Sequence, residues 1–328
     1  MGGELLSLLV AVMWTFTAIF AEIASKRMGT LVLNVWRMVL TIILLGLLLW
    51  FTCGKPWPQH TTPEVWKWFL ASGFMGFVFG DYCLFNAYVV IGSRYAQLFM
   101  TLGCPFAAIT AWLLMGETMS TLGMLGMIVT LTGIAISILG KRHDKDSAHS
   151  SPNGKRKKSP FKGDLEGLSL SLPLRGILLG IGAGLGQGVG IVLSKQGMLH
   201  YGAVVPPEAT NVASMMPFAG TQIRALMGLL AFGTSLLFAR RVGNFLRAAT
   251  DLRGAAAAMG AVLLGPFFGV SFSLLAVSMT NTGVAQTLMA LTPVLILWPS
   301  RQIFGKKVSM QEIVGAVIAV AGASLFFM

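Results

Sequence analysis

Charged side chains are scarce in this sequence. Asp, Glu, Lys and Arg together make up 11% of its 328 residues, against about 25% in a typical soluble domain. Hydrophobic residues make up 55%, and the mean hydropathy is +0.75. So few charges cannot cover the surface of a soluble enzyme, and so many apolar residues exclude a disordered chain.

Cysteine and histidine are also rare, and neither is clustered. Cys53, Cys83 and Cys104 form no disulfide framework and lack the spacing of zinc ligands. The 4 histidines fall in predicted loops, and neither an H-E-x-x-H motif nor a catalytic carboxylate pair occurs. We therefore expect no enzymatic activity, no catalytic residue, no metal site and no cofactor.

Acidic residues number 12 against 24 basic ones, which gives a net charge of +12. Eight of the basic residues lie in one polar stretch, residues 141–172, whose single aromatic residue is Phe161. Nucleic-acid-binding surfaces place basic residues among several stacking aromatics. We interpret the stretch as a solvated linker and expect no nucleic-acid partner; contact of Lys155–Lys158 with anionic lipid is the alternative.

Long apolar segments are abundant. Ten of them are about 17–25 residues long, the length of a helix that crosses a hydrocarbon core of about 30 Å. They cover residues 5–25, 35–52, 68–90, 96–115 and 121–140, and then residues 174–197, 221–239, 255–279, 284–300 and 308–327. Backbone amides in hydrocarbon must be satisfied within their own segment, so each is predicted to be a helix. No basic segment precedes Leu5, so we expect the first span to be retained rather than cleaved.

The two groups of five spans resemble each other. At an offset of 189, Ala96–Leu139 aligns without a gap on Ala285–Met328, and 8 of 44 positions are identical. Repeats with an odd number of helices run in opposite directions through the membrane, as in secondary transporters. The predicted fold is an all-α membrane protein of ten transmembrane helices in two inverted five-helix repeats. The repeats are residues 1–140 and 173–328, joined by the linker 141–172.

Basic residues in the predicted loops lie on one side. Eighteen Lys and Arg residues fall in the linker and in the loops after odd-numbered spans, whereas the opposite loops contain only Lys55 and Lys67. Cytoplasmic loops carry the excess of Lys and Arg. We therefore predict a plasma-membrane protein with a cytoplasmic linker and with both termini outside.

Both halves close with an Ala-Gln…Leu segment, a glycine turn and a glycine-spaced last helix. The segments are Ser93–Gly140, with Gly116–Glu117, and Thr282–Met328, with Gly305–Lys306. This pattern resembles the drug/metabolite transporter superfamily, in particular its EamA-type members. The resemblance implies a ten-helix bundle that transports small organic solutes such as amino acids, often as an exporter, through a central cavity. Lys306 departs from the acid common in the second repeat, and relatives are usually drawn with cytoplasmic termini.

Asp81 is the candidate for coupling or substrate recognition. It lies about 3 Å from the centre of the predicted span 68–90, where an aspartate costs about 2.5–3.5 kcal/mol to insert. Its repeat equivalent is Val270, so the fold alone does not require an acid. We predict that Asp81 carries a proton or binds a cationic group. The alternative is a structural ion pair, for instance with Arg37, Arg94 or Lys195. Glu22 is a second candidate for proton coupling, with snorkelling at the membrane surface as its alternative.

Polar and aromatic residues at helical spacing complete the predicted substrate site. Its members are Trp14, Thr15, Asp81, Tyr82, Asn86, Gln97, Thr101, Gln187, Ser271 and Gln286. A pocket of aromatics with a few polar groups suits an amphiphilic solute, whereas hydrogen bonding between helices is the alternative for Gln and Asn. Pro105 and Pro293, inside two spans, are predicted hinges or static kinks. Arg37 and Arg224 are interpreted as interfacial anchors, with contact to an anion as the alternative.

Glycines occupy every second position from Gly180 to Gly190. No G-x-G-x-x-G motif occurs in this run and no strand precedes it, so nucleotide binding is not indicated. Rows of small residues four apart are typical of close helix packing in membranes. We therefore predict that these glycines pack this helix tightly against its neighbours.

Together these features predict a secondary transporter, more specifically an exporter, of a small organic metabolite. The two halves would expose a midplane cavity alternately to each side, with proton coupling through Asp81. The alternative is a translocator of lipids or lipid precursors, or a membrane scaffold that transports nothing. The expected partners are the solute and the bilayer, with the chain acting as a monomer or a homodimer.

A reporter fused to the C-terminus tests the predicted orientation. A reporter that is active only in the cytoplasm should stay inactive at this position, because the distribution of basic residues places the C-terminus outside. The same reporter inserted within residues 141–172 should be active and controls for expression. Activity of the C-terminal fusion would contradict the orientation.

Overall fold

The computed structural model describes residues 2–139, 173–240, 242–296, 299 and 310–325. These residues form helices joined by short turns, and no strand occurs among them. The first half contains α1 (Gly2–Met28), α2 (Thr30–Cys53), α3 (Pro63–Gly73), the π-helix π1 (Phe74–Gly80), α4 (Asp81–Met100), α5 (Gly103–Met115) and α6 (Thr121–Leu139). The second half contains α7 (Leu174–Val204), α8 (Thr210–Phe238), α9 (Val242–Ala248), α10 (Leu252–Val262), the π-helix π2 (Leu263–Val270), α11 (Ser271–Met279), α12 (Thr282–Met289), α13 (Thr292–Leu295) and α14 (Met310–Ser324). The predicted linker, residues 141–172, and Lys306 lie outside the described residues.

Within the described part of the chain, seven helical segments are long and apolar enough to cross a membrane. They are Gly2–Met28, Thr30–Cys53, Pro63–Ile91, Tyr95–Met115, Leu174–Val204, Thr210–Phe238 and Leu252–Met279. Three shorter apolar helices, Thr121–Ile136, Thr282–Leu295 and Met310–Ser324, stand where spans 5, 9 and 10 are predicted. The all-helical membrane fold is thus confirmed, while the count of ten crossings stays a prediction.

Glycine and proline mark several of the helix ends. Gly54 and Gly116 follow α2 and α5 with φ angles of 78° and 65°, the left-handed conformation that glycine adopts without a steric penalty. Pro63 opens α3 and Pro173 precedes α7. Proline at the first turn costs no hydrogen bond because its missing N–H would have no partner there.

The third and eighth spans share the same interruption. Each consists of an α-helix, a π-helix and a second α-helix, and π1 and π2 begin 189 residues apart, at Phe74 and Leu263. Two glycine pairs are also identical at this offset, Gly76 with Gly265 and Gly80 with Gly269. A π-helix widens the turn and often occurs at functional sites. The structural repeat therefore includes these spans as well as the last two of each half.

A second pair of equivalent interruptions divides the fourth and ninth spans. Turns at residues 101–102 and 290–291 separate α4 from α5 and α12 from α13, again 189 residues apart. Pro105 is the third residue of α5, and Pro293 lies in the first turn of α13. A proline in the first turn of a helix breaks no backbone hydrogen bond. Both prolines therefore follow a break instead of kinking a continuous helix, and their role as hinges stays a prediction.

Helix α7 is packed by two rows of glycines. Gly182, Gly186 and Gly190 face the third span, where an added Cβ at Gly186 would lie 2.6 Å from the Cα of Gly80. The other row faces the fourth span, and an added Cβ at Gly188 would lie 2.6 Å from the carbonyl oxygen of Gly103. The backbones approach this closely only because the glycines lack side chains. Because glycines alternate along α7, one row packs against the third span and the other against the fourth.

These contacts also show the relative directions of the spans. Along α7, Gly176 lies against Ile91 and Gly190 against Gly76, so the third span runs antiparallel to α7. The fourth span runs parallel to α7, because Gly180 lies against Phe99 and Gly188 against Ala107. The third and fourth spans therefore run in opposite directions.

The two halves interlock through equivalent helices. Helix α7 packs against α3, π1, α4 and α5 of the first half, whereas α1 packs against α10, π2, α11 and α12 of the second. Helices α2 and α8 pack on each other, and α6 packs on α14. Neither half encloses the core alone, so residues from both halves meet at the centre of the bundle.

The bundle has two ends. We call the end with the N-terminus and the turns 54–62, 116–120, 205–209 and 280–281 the terminal face. The opposite end is the linker face, where α1 ends, α7 begins and α10 begins. There Arg27 Nε donates to Asp251 Oδ2 at 2.6 Å, and this hydrogen bond holds the pKa of the Asp251 carboxyl below its ordinary value.

The glycine rows of α7 predict a position-specific effect of alanine. Gly186→Ala should lower the free energy of unfolding by about 1–3 kcal/mol, because its Cβ meets backbone atoms that cannot move aside. Gly202→Ala in the same helix is the control. Its Cβ would lie 3.9 Å from the nearest atom, the Met216 methyl carbon, so it should be neutral or slightly stabilising. Thermal unfolding in detergent compares the two, and equal midpoints would contradict the packing.

Candidate functional site

A cavity of about 80 Å³ lies between the two halves. Its wall comes from α1, α2, π1 and α4 of the first half and from α7, α8, π2 and α11 of the second. Arg224, one of its lining residues, is the midpoint of α8. The cavity is therefore near the middle of the bundle, away from both faces.

Asp81 forms an ion pair across the cavity wall. Arg37 Nη1 donates to Asp81 Oδ2 at 2.9 Å and to Asn34 Oδ1 at 3.0 Å. The Arg37 guanidinium also lies 4.8 Å from the ring centre of Phe85, a cation–π contact. The structural ion pair with Arg37, one of the two alternatives for Asp81, is therefore present.

Arg37 and Arg224 are buried, so their interpretation as interfacial anchors is wrong. Their exposed fractions are 4% and 3%. The helices begin earlier than predicted: α2 begins at Thr30 instead of residue 35, and α8 at Thr210 instead of residue 221. At 1.5 Å per residue, Arg224 lies about 21 Å along α8 from its start, too deep to anchor at the surface.

Arg224 faces the cavity without an ion pair among the described residues; Asp81, which already pairs with Arg37, attracts it only from a longer distance. Its Nε and Nη1 atoms are buried and have no hydrogen-bond partner there. The guanidinium lies 4.8 Å from the ring centre of Phe77 in π1. An added Cβ at Gly76 would lie 2.6 Å from Arg224 Nη2, so the glycine of π1 makes room for the guanidinium.

Four aromatic side chains also line the cavity. They are Trp14, Phe77, Phe85 and Tyr88. The Gln97 amide donates to the Tyr88 hydroxyl at 2.6 Å and so bridges the turn between the third and fourth spans. Gln187 and Ser273 line the cavity as polar groups from the second half. The site combines aromatic surface with three charged side chains and several neutral polar groups.

Four of the ten predicted substrate-site residues line this cavity: Trp14, Asp81, Gln97 and Gln187. Tyr82 is 54% exposed on the outer surface, and the Asn86 amide donates to the Tyr82 carbonyl. The predicted stripe through Tyr82 and Asn86 is thus one residue out of phase with the cavity face.

The other four predicted residues are buried in contacts between helices or within one. Thr15 donates to the Ala11 carbonyl and lies 3.5 Å from that of Thr292, and Ser271 donates to Thr221 Oγ1. The hydroxyl of Thr101 donates to the Leu98 carbonyl. The carbonyl of Gln286 accepts from Cys104 Sγ at 3.5 Å. None of the four is in the cavity wall.

Glu22 is not in the cavity wall either. Its Oε1 lies 2.6 Å from Lys26 Nζ, one turn on, and the pair is partly exposed near the linker face. Among the described residues, His, Cys, Asp and Glu do not gather in groups of three or more that could hold a metal ion.

Sequence reasoning missed Arg224, Arg37, Phe77 and Ser273 as lining residues. One signal was present: Arg37 and Arg224 correspond at an offset of 187, and each stands in a long apolar segment. Taking the apolar segments from Thr30 and Thr210 would have placed both arginines inside the bilayer. For Phe77 and Ser273, we find no signal in the sequence that distinguishes them from neighbouring apolar and small residues.

A second polar cluster, the terminal-face cluster, consists of Glu117, Lys195, Thr280 and Thr282. Lys195 Nζ lies 2.6 Å from Glu117 Oε1 and donates to the Thr280 carbonyl at 2.9 Å. The Thr282 N–H and hydroxyl donate to Glu117 Oε2 at 3.1 and 2.9 Å. The cluster joins the turn after α5 to α7 and to the start of α12, so Lys195 pairs with Glu117 and not with Asp81.

Glu117 remains ionised in this cluster at neutral pH. Burial raises the pKa of its carboxyl, but the hydrogen bonds from Lys195 and Thr282 outweigh burial and hold the pKa below its ordinary value. The stability that this carboxylate contributes is present above its unfolded-state pKa and is lost as the pH falls through the lowered pKa. The cluster therefore joins residues of the two halves at the terminal face at neutral pH.

The EamA-like transporter family matches the chain over residues 1–139 and 174–328. Among curated proteins, none matches the sequence. A solved crystal structure, described only as that of a protein, aligns with a TM-score of 0.64 and 14% identity. The alignment covers 99% of this chain and 96% of that one. At this identity the likeness shows the fold alone.

The ion pair predicts opposite effects for single and double substitution. Asp81→Leu should lower the free energy of unfolding by about 3–5 kcal/mol, because it leaves Arg37 buried and unpaired. Adding Arg37→Met should recover most of this loss, since apolar side chains of similar volume can replace a buried pair. Thermal unfolding in detergent measures both variants. A double variant as unstable as Asp81→Leu would show that the pair does not act as a unit.

Proposed function

The chain belongs to the EamA-like transporter family, and we propose that it is a secondary transporter of a small organic solute. The observation that carries this proposal is the cavity between the halves, in which Arg37, Asp81 and Arg224 meet. Ionisable groups inside a membrane bundle are costly and usually mark a substrate or ion pathway. Aromatic walls with a few polar groups suit an amphiphilic solute such as an amino acid.

The size of the cavity supports a mechanism in which the halves move. Pockets that enclose drug-sized ligands measure about 300–1,000 Å³, and this cavity measures about 80 Å³. A solute of ordinary size therefore requires the wall to open. Because the wall is divided between the two halves, rocking of one half against the other would widen it and expose it to one side at a time.

The terminal-face cluster would act as one of the two closures. Its Glu117–Lys195 contact lies on the terminal side of the cavity and links first-half and second-half helices. Opening toward the terminal face would break that contact, and closing would restore it. The equivalent breaks before Pro105 and Pro293 lie in the spans that would bend during this change.

Proton coupling is proposed to act through Asp81. A protonated Asp81 no longer attracts Arg37 as an ion pair, so proton binding would release the guanidinium into the cavity. Deprotonation would restore the pair. The orientation proposed from the loop charges puts the linker in the cytoplasm and the terminal face outside, and export across the plasma membrane is the proposed direction.

Transport by purified protein in proteoliposomes tests the proposal. Wild-type protein should move radiolabelled amino acids faster under an imposed pH gradient. Asp81→Asn should reduce this transport by about tenfold or more, the cost of one charged hydrogen bond, and should abolish its response to the gradient. Glu64→Gln is the matched control, because Glu64 is more than half exposed and pairs with Lys67 away from the cavity.

Two results would contradict parts of the proposal. Unchanged rate and pH response in Asp81→Asn would remove Asp81 from the coupling mechanism. Failure of the wild-type protein to move any member of a broad metabolite library would contradict the transport function itself.

A further inference from the structure

The cavity contains more positive than negative charge. Arg37, Arg224 and Asp81 line it, and Asp81 is held by Arg37 Nη1 at 2.9 Å. Arg37 has a second acceptor in Asn34, whereas Arg224 has no ion pair among the described residues. One carboxylate that is already paired cannot neutralise two guanidinium groups.

The internal repeat shows what is absent near Arg224. Arg37 and Arg224 are corresponding residues of the two halves, and Asp81, the partner of Arg37, corresponds to Val270. Val270 also lines the cavity. The second half thus has the arginine of the pair without the acid, and the cavity lies where a negative group would be needed.

Arg224 cannot relieve this imbalance by reaching water at a membrane surface. It stands at the middle of the 29-residue helix α8, about 21 Å along the helix axis from either end. Its exposed fraction is 3%. An unpaired guanidinium at this depth lowers the stability of the protein, so its presence calls for a compensating role.

The neighbouring backbone is shaped around the guanidinium. In π1, Gly76 leaves the space that Nη2 occupies, and the Phe77 ring lies 4.8 Å from the guanidinium carbon. The aromatic ring supports one face of the cation, while Nε and Nη1 keep hydrogen atoms to donate. Guanidinium N–H groups that have no acceptor are suited to carboxylate and phosphate oxygens.

We infer that Arg224 binds the anionic group, a carboxylate or a phosphate, of the transported solute. The inference rests on the proposed transport function and narrows it to small organic anions with an apolar or aromatic body. Trp14 and Phe85 offer surface for that body, and Gln187 and Ser273 offer further polar contacts. In the filled site the substrate anion takes the place that Asp81 takes beside Arg37.

Binding of matched probes to the purified protein tests this assignment without requiring transport. The probes are 3-phenylpropanoate, its neutral amide, the corresponding amine and phenyl phosphate, each followed by calorimetric titration in detergent. The two anions should bind wild-type protein, and the amide and the amine should bind at least about tenfold more weakly, the value of one charge-assisted hydrogen bond. Failure of both anions to bind at millimolar concentration would overturn the inference.

Arg224→Met separates a binding role from a structural one. The variant should lose anion affinity about tenfold to a hundredfold, yet its unfolding midpoint should not fall, because an unpaired buried charge has been removed. Arg175→Met, a change at an exposed arginine at the start of α7, should leave both quantities unchanged. Wild-type anion affinity in Arg224→Met, or a fall in its unfolding midpoint, would overturn the inference.

Gly76→Ala gives a second route if Arg224→Met does not fold. Its Cβ would collide with Nη2 at the end of a flexible side chain, so the guanidinium should shift while the fold is kept. Anion affinity should again fall at least about tenfold, and an unchanged affinity would overturn the inference.

Two further comparisons complete the test. One distinguishes a lipid headgroup from a free solute as the source of the anion, and the other distinguishes failure of the anion site from failure of the proposed transport function. Competition of phosphatidylglycerol with 3-phenylpropanoate would assign the site to a lipid headgroup and overturn a solute site; absence of competition supports the solute. Anion binding that depends on Arg224, in protein that transports nothing, would contradict the proposed function and leave the anion site intact. Transport of neutral solutes at a rate that Arg224→Met does not alter would support the transport function and overturn the anion site.

Discussion

Enclosing three charged side chains in the middle of an apolar bundle is the constraint on which the rest of this structure depends. Arg37 and Asp81 meet the constraint by pairing at 2.9 Å, with Asn34 and the Phe85 ring as further partners of the guanidinium. Arg224 meets it only in part, through the Phe77 ring. Because lipid cannot solvate these groups, helices from both halves must surround them, and the charged cavity is therefore also the contact between the halves.

Close backbone contact makes that enclosure possible. Glycine rows bring α7 against the third and fourth spans together, and the same type of contact joins α6 to α14, where an added Cβ at Gly133 would meet the backbone of Ala319. The π-helices and the breaks at residues 101–102 and 290–291 recur at one offset in both halves. The π-helices and the helix breaks thus lie next to the cavity and are supported by helix packing. This arrangement is expected where a membrane protein must bind a ligand and change conformation.

The chemistry of the site follows from its unequal halves. Two corresponding arginines face the cavity, but only Arg37 forms an ion pair, and Val270 stands in the second half where Asp81 stands in the first. The two halves have the same fold, but in the cavity between them Arg37 is neutralised by Asp81 and Arg224 is not neutralised. The terminal-face cluster adds a second asymmetry, since the ion pair of Glu117 and Lys195 joins the halves at one end of the bundle. A small organic anion that enters, is neutralised by Arg224 and leaves on the other side is consistent with both features.

The sequence by itself determined the helical membrane fold, the family, the internal repeat and the position of Asp81 deep inside a span. These are properties of apolar length, of offset and of a charge within one segment, and each can be measured along the chain. It did not determine which residues line the cavity. Tyr82 rather than Phe85 was expected to face the site, and Arg224 was expected to lie at the surface. The rotation of each helix about its axis and the depth of each residue depend on contacts with the other half, such as those of the α7 glycines with Gly80 and Gly103. Only the tertiary structure decided them, because they are properties of pairs of helices that lie far apart along the chain.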